Sequence, residues 1–124
     1  MESVKLPVAR LNGRLFVQIP EQMPSVLRKE LRRMRYFGPC PEERGRCIAL
    51  YSEEVFASAV QEFAALSQEV SQTLRPIFFL YFRMDVPPVG VFEIPPVLLN
   101  LLDQEFDEME LRLEKGRLKL VVAK

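Results

Sequence analysis

Arg10 and Arg14 stand on either side of Leu11-Asn12-Gly13. Asn-Gly readily takes the positive φ values of a type I′ turn, so the alternating segments 4–10 and 14–19 are expected to pair as a hairpin with two guanidinium groups at its tip. A rigid tip of that kind suits contact with phosphate or with a nucleic-acid groove. The plainer alternative is a pair of solvated, turn-flanking arginines. A second cationic group, Arg28, Lys29, Arg32, Arg33 and Arg35, is interleaved with Met23, Val26, Leu27, Leu31 and Met34 at helical spacing. That pattern predicts a cationic amphipathic helix with Pro24 in its first turn. Each of its charges, set on a phosphate, would release counterions and steepen the salt dependence of binding. A solubilising face, or a pairing surface for acidic segments, explains the same charges.

Other chemistries find little support. The chain has no histidine, so the usual general base near neutral pH and the commonest metal ligand are both missing. The acidic pairs Glu42-Glu43, Glu53-Glu54 and Asp107-Glu108 have no nucleophile or base at a telling distance and read as solvated or capping charges. The five glycines are scattered singly, which leaves no phosphate-cradling loop. Cys40 and Cys47 match no zinc signature and read as reduced structural thiols. The run Phe78, Phe79, Tyr81 and Phe82 has no interleaved basic residues, so core or subunit interface is favoured over a base-stacking platform. No enzyme, cofactor or metal is expected.

At 124 residues and 48% hydrophobic, the chain suits one domain, or two interlocked half-domains sharing a core. Nothing in it reaches the length of a membrane-crossing apolar stretch, and the N-terminus lacks the charged and apolar regions of a leader. A cytoplasmic protein is expected, with no membrane partner. Net charge is zero but unevenly spread: residues 1–50 carry +5, residues 51–111 carry −9 and residues 112–124 carry +4. A basic first half could meet an anion such as nucleic acid, or the halves of neighbouring subunits could attract one another.

The elements that would position these charges repeat. Val17-Gln18-Ile19-Pro20 and Phe92-Glu93-Ile94-Pro95 are two copies, 75 residues apart, of a strand ending in Ile-Pro and entering an apolar helix start. In each, alternation asks for one buried strand face, and the proline, which has no N–H, ends the ladder and suits a first helical turn. Between the copies, residues 38–45 read as a loop and 46–51 as a strand. Ser52 then caps a long helix running to about Thr73, with Glu53 and Glu54 at the positive end of its dipole. Pro76 stops that helix, and 77–82 reads as a strand covered on both faces, in so small a chain by a partner subunit if need be. Pro87-Pro88 breaks the chain before the second copy. A short helix over 97–102 and a closing hairpin of 108–113 with 117–122 complete the order.

The order hairpin, Ile-Pro, helix, strand, long helix, then strand, Ile-Pro, helix, hairpin resembles the MraZ family, transcription regulators built from two tandem swapped-hairpin units of the AbrB kind. The resemblance rests on Asn12-Gly13-Arg14-Leu15 leading to Ile19-Pro20, on the stretch from Arg46 to Glu54, and on Gly90-Val91-Phe92-Glu93-Ile94-Pro95-Pro96. It implies an α+β fold in which two pseudo-symmetric AbrB-like units form a small β-barrel flanked by helices, the first unit spanning 1–73 and the second, degenerate one 74–124. It also implies an oligomeric regulator that binds double-stranded DNA, nucleoid-associated in the cytoplasm, with Arg10, Asn12, Arg14, Arg28, Lys29 and Arg32 as candidate contacts. In that family each unit carries an acid four residues before an arginine that follows a glycine. Here Arg10 and Pro87 stand in place of the two acids, and Val91 in place of the second arginine. The loss of half that chemistry motivates an alternative, a phage-encoded or accessory protein-interaction module that keeps the fold and binds a host protein such as the transcription machinery.

Overall fold

Two tight turns organise the strands. Asn12 and Gly13 have φ of 52° and 78°, and Lys115 and Gly116 have φ of 51° and 78°, the pair of left-handed residues that a type I′ hairpin requires. They join β1 (Glu2–Leu11) to β2 (Arg14–Ile19) and β7 (Glu108–Glu114) to β8 (Arg117–Ala123). Between the hairpins lie α1 (Ser25–Arg33), β3 (Met34–Pro39), β4 (Cys47–Ser52), α2 (Glu53–Ala64), β5 (Phe82–Arg83), β6 (Gly90–Ile94) and α3 (Pro96–Leu99). These elements come from a computed structural model, which describes residues 2–40, 45–66, 69, 81–84, 90–100, 102 and 106–123.

The eight strands form one antiparallel sheet in the order β5-β3-β4-β8-β7-β1-β2-β6, curled into a half-barrel, so the molecule is a small α+β domain made mostly of strands. Side chains on the concave face interlock across strands distant in sequence: Leu15 opposes Ile94 and Val17 opposes Phe92, Leu6 opposes Met109, and Ile48 opposes Leu120. Leu27 and Leu31 of α1 and Leu98 of α3 are buried in the same cluster. Each such residue, fully withdrawn from water, stabilises the fold by about 1.5–3 kcal/mol relative to exposure.

The two Ile-Pro strands, β2 and β6, lie side by side with Val17 opposite Phe92. Their helices begin alike but not where the sequence pattern puts the first one. Pro24 (φ −50°, ψ 133°) and Pro95 (φ −52°, ψ 131°) are the residues that precede the helices, and the carbonyls of Pro24 and Pro95 accept from the N–H groups of Leu27 and Leu98. Pro20 ends β2, but residues 20–23 are non-helical. The helix start moves to Pro24 because a proline there holds the extended conformation of a helix-preceding residue, and Leu27 then drops into the core.

Three further expectations are corrected. Met34, read as the end of the α1 stripe, begins β3, and Gly38-Pro39, read as loop, ends it. Pairing of Phe37 with Leu50 and Gly38 with Ala49 on β4 outweighs the helical spacing. A Cβ at Gly38 would meet the Tyr51 and Tyr81 rings at 2.8 Å, so the bare backbone lets those rings close over the strand. Cys40 and Cys47, read as separate thiols, are joined as a disulfide. The reason is register: Pro39 opposes Ile48, so the next residues, Cys40 and Cys47, face each other with Cα atoms 5.6 Å apart, inside the range a disulfide spans.

Closing a loop this short by a covalent bond is expected to stabilise the fold by about 2 kcal/mol on chain-entropy grounds. Reduction, or Cys40→Ser with Cys47→Ser, should therefore lower the urea midpoint. An identical midpoint with and without reductant would show that the bond contributes nothing.

The Ser52 cap is in place, its Oγ accepting from the Val55 N–H at 3.3 Å. Continuation of the long helix to Thr73, its stop at Pro76, the strand over residues 77–80, Pro87-Pro88 and the unit boundary at 73/74 fall outside the described residues. No helix among the described residues is long and apolar enough to cross a membrane.

Candidate nucleic-acid interface

The candidate contacts fall into two groups. Arg10, Asn12 and Arg14 share the β1–β2 tip; Arg28, Lys29 and Arg32 share α1, which packs against β1 and β7 through Leu27 and Leu31. Within each group, the side chains differ in what they are free to do.

At the tip, strand parity separates the two arginines. Arg10 opposes Leu15 and so lies on the concave side, at the sheet's end, where its guanidinium sits 4.6 Å from the centre of the Phe106 ring. Stacking on an aromatic face leaves the cation's edge able to donate. Asn12 is exposed in the turn. Arg14 points to the convex side and is occupied: its Nε and Nη2 donate to Glu93 at 2.7 and 2.6 Å. The guanidinium also lies 5.3 Å from the Phe16 ring.

That fork follows from the β2–β6 register, in which Phe16 opposes Glu93 and places Arg14 one outward position further on. Hydrogen bonding and then charge from Glu93 raise the Arg14 pKa. Reciprocally, the hydrogen bond from Arg14 holds the Glu93 carboxyl below its ordinary value, against some desolvation, with the arginine's charge adding to the effect.

On α1, Arg28 is half-buried and its Nη2 donates to the carbonyls of Pro20 at 3.0 Å and Glu21 at 2.8 Å. It thus ties the non-helical stretch after β2 to the helix, a structural task rather than an outward one. Lys29 and Arg32 are exposed. Arg33 donates to Glu30 at 3.2 Å, and Arg35 to the carbonyls of Arg32 and Met34 at 2.5 and 2.8 Å. Of the six candidates, Arg10, Asn12, Lys29 and Arg32 present their polar groups to solvent, whereas Arg14 and Arg28 are engaged by their own chain.

Sequence reasoning did not single out Glu93 or Phe106 as partners of these cations. Glu93 lies between buried Phe92 and Ile94, so parity alone marks it as outward-facing. Its pairing with Arg14, 79 residues away, is set by strand register.

A third ionic group fastens α2 to the sheet. Arg83 on β5 donates to Glu53 at 2.8 Å and to the Tyr36 hydroxyl at 3.0 Å, and Tyr36 stacks on Phe56 at 3.9 Å. Glu54 has a lowered pKa, chiefly because its carboxylate accepts its own backbone N–H and then the Ser52 hydroxyl, with Arg33 and Arg35 adding smaller effects. Val55, Val60 and Leu66 on and just beyond α2 remain 51%, 42% and 39% exposed, so much of the apolar stripe faces solvent.

No protein-family model matches the chain, and no curated protein or solved structure matches it.

Proposed function

We propose that the chain is a duplicated swapped-hairpin regulator of the MraZ and AbrB kind that binds double-stranded DNA as an oligomer. The observation that supports this reading is the pattern of strand pairings. Let β1, β2, α1, β3 and β4 correspond in order to β5, β6, α3, β7 and β8. Then β1–β7 maps onto β5–β3, β3–β4 maps onto β7–β8, and β2–β6 and β4–β8 map onto themselves, all six pairings being antiparallel. A twofold relation between two copies of one unit would give that pattern; the exception is β1–β2, whose counterpart β5–β6 is not paired, the two strands being the opposite edges of the sheet.

The step from fold to DNA rests on the solvent-facing cations, because one fold hosts many functions. Arg10, Lys29 and Arg32 are few, so useful affinity comes from several subunits engaging neighbouring sites at once. No catalytic group is assigned. The proposed setting is the cytoplasm, whose reducing milieu would open the Cys40–Cys47 disulfide that the structure contains.

The test is a mobility-shift titration on duplex DNA across salt concentrations. Wild type should shift at low salt, and Lys29→Gln with Arg32→Gln should weaken binding by about tenfold and flatten the salt slope by about two. No shift at low salt would remove this reading and favour the second, a module that binds a host protein. The engagement of Arg14 by Glu93 and the exposed Val55 and Val60 of α2 are the observations in favour of that module.

A further inference from the structure

Both guanidinium groups of the β1–β2 tip are drawn back along the ribbon. On the convex side Arg14 forks onto Glu93 at 2.7 and 2.6 Å and lies 5.3 Å from the Phe16 ring. On the concave side Arg10 lies 4.6 Å from the centre of the Phe106 ring. Leu11 and Asn12 are left at the end of the ribbon. Leu11 is 62% exposed, the most exposed large apolar side chain among the described residues, and Asn12 is exposed beside it. We propose that this tip enters the major groove, with Leu11 packed on the C5-methyl group of a thymine and the Asn12 carboxamide paired with an adenine. The inference rests on the duplex-DNA reading above and adds the bases that are read.

The turn itself does not ask for an apolar residue at position 11. The β7–β8 turn has nearly the same backbone, with φ of 51° and 78° against 52° and 78°. There Glu114 opposes Arg117, as Leu11 opposes Arg14. Opposite charges across the closing pair support a ladder; leucine in that place gives up this support. A lone exposed leucine is ordinary on a protein surface. This one is set apart by its position, at the end of a two-stranded ribbon whose flanking cations are turned aside.

The groove chemistry matches that end. A major groove about 12 Å wide admits a two-stranded ribbon, thymine alone presents a methyl group there, and adenine N6 and N7 fit the acceptor and donor of a carboxamide. Phosphate contacts fix register, whereas base contacts carry sequence. Lys29, Arg32 and the edge of the Arg10 guanidinium serve the first task, and Leu11 with Asn12 the second.

The experiment is a fluorescence-anisotropy titration of the full chain, at several salt concentrations, on three duplexes of equal length: alternating A·T, the same with uracil replacing thymine, and alternating G·C. Uracil removes the methyl groups and leaves the pairing and the minor-groove edges unchanged. Wild type should bind the A·T duplex about tenfold more tightly than G·C. It should lose about fourfold on the uracil duplex, the factor expected for one buried methyl. Leu11→Ser, at an exposed site that leaves the fold intact, should bind the thymine and uracil duplexes equally with the wild-type salt slope, because no phosphate contact is lost. Asn12→Gly keeps the left-handed turn and should shrink the A·T preference while retaining the uracil effect. Equal wild-type affinity for thymine and uracil duplexes, or a uracil effect that survives in Leu11→Ser, would overturn this inference and leave DNA binding standing. Binding to none of the three duplexes would remove both.

Discussion

Replacing Ile94 by alanine is expected to destabilise the fold by about 3 kcal/mol, the range for truncating a large aliphatic side chain where the site cannot collapse. Ile94 has no solvent exposure and faces Leu15, equally buried, across the β2–β6 seam. Removing it forfeits transfer free energy and leaves a void shared by the two Ile-Pro strands and the residues packed behind them. Against a total stability of about 5–15 kcal/mol for a domain, that loss is large. The neighbouring Val91 on the convex side is 56% exposed, so Val91→Ala should change stability by no more than about 0.5 kcal/mol. Urea denaturation of the two variants measures the contrast. A difference below about 1 kcal/mol would mean that β6 is not seated in the core as the register requires.

Glu93→Gln is expected to strengthen DNA binding, although it removes no repulsive group from a recognised contact. The carboxylate holds Arg14 in a two-pronged bond. Glutamine keeps the shape and drops the charge, freeing the guanidinium for phosphate. One additional phosphate contact should steepen the salt slope by about one and raise low-salt affinity several-fold. Arg14→Ala in the wild-type background should change affinity little, because the arginine is already engaged.

Mobility shifts of the two variants test this, and a weaker complex with Glu93→Gln would overturn it. Acid should act in the same direction. The Glu93 pKa is depressed in the folded chain, so its contribution to stability is complete above the ordinary carboxylate value and is lost as pH falls through the depressed one. A carboxyl-detected NMR titration should place its midpoint below that of an unpaired glutamate.

The hairpins were legible in the sequence because their information is local. Asn12-Gly13 and Lys115-Gly116 are turn signals, and the alternation beside them specifies which face is buried whatever lies opposite. The cap at Ser52 is local in the same way. The end of α1 was not legible. Met34 continues a helical stripe, and only its place in the β3–β4 ladder makes it a strand residue, since tertiary pairing routinely overrides weak local preference. The disulfide lay hidden for a related reason: Cys40 and Cys47 are seven positions apart, and only the register of β3 on β4 sets them face to face.

The candidate interface divides along the same line. Composition and spacing by themselves determined that Arg10, Arg14, Lys29 and Arg32 would sit at a turn or on a helix face, because residue type and period decide exposure. Tertiary structure decided which of those charges remain available. Arg14 meets a carboxylate 79 residues away, and Arg28 meets carbonyls left unpaired where β2 ends. Leu11 likewise stands bare at the hairpin tip only once remote Glu93 and Phe106 have drawn the flanking arginines aside. An ion pair depends on distances of a few ångströms, and for residues far apart in the chain those distances are set by how the sheet closes rather than by either residue's neighbours.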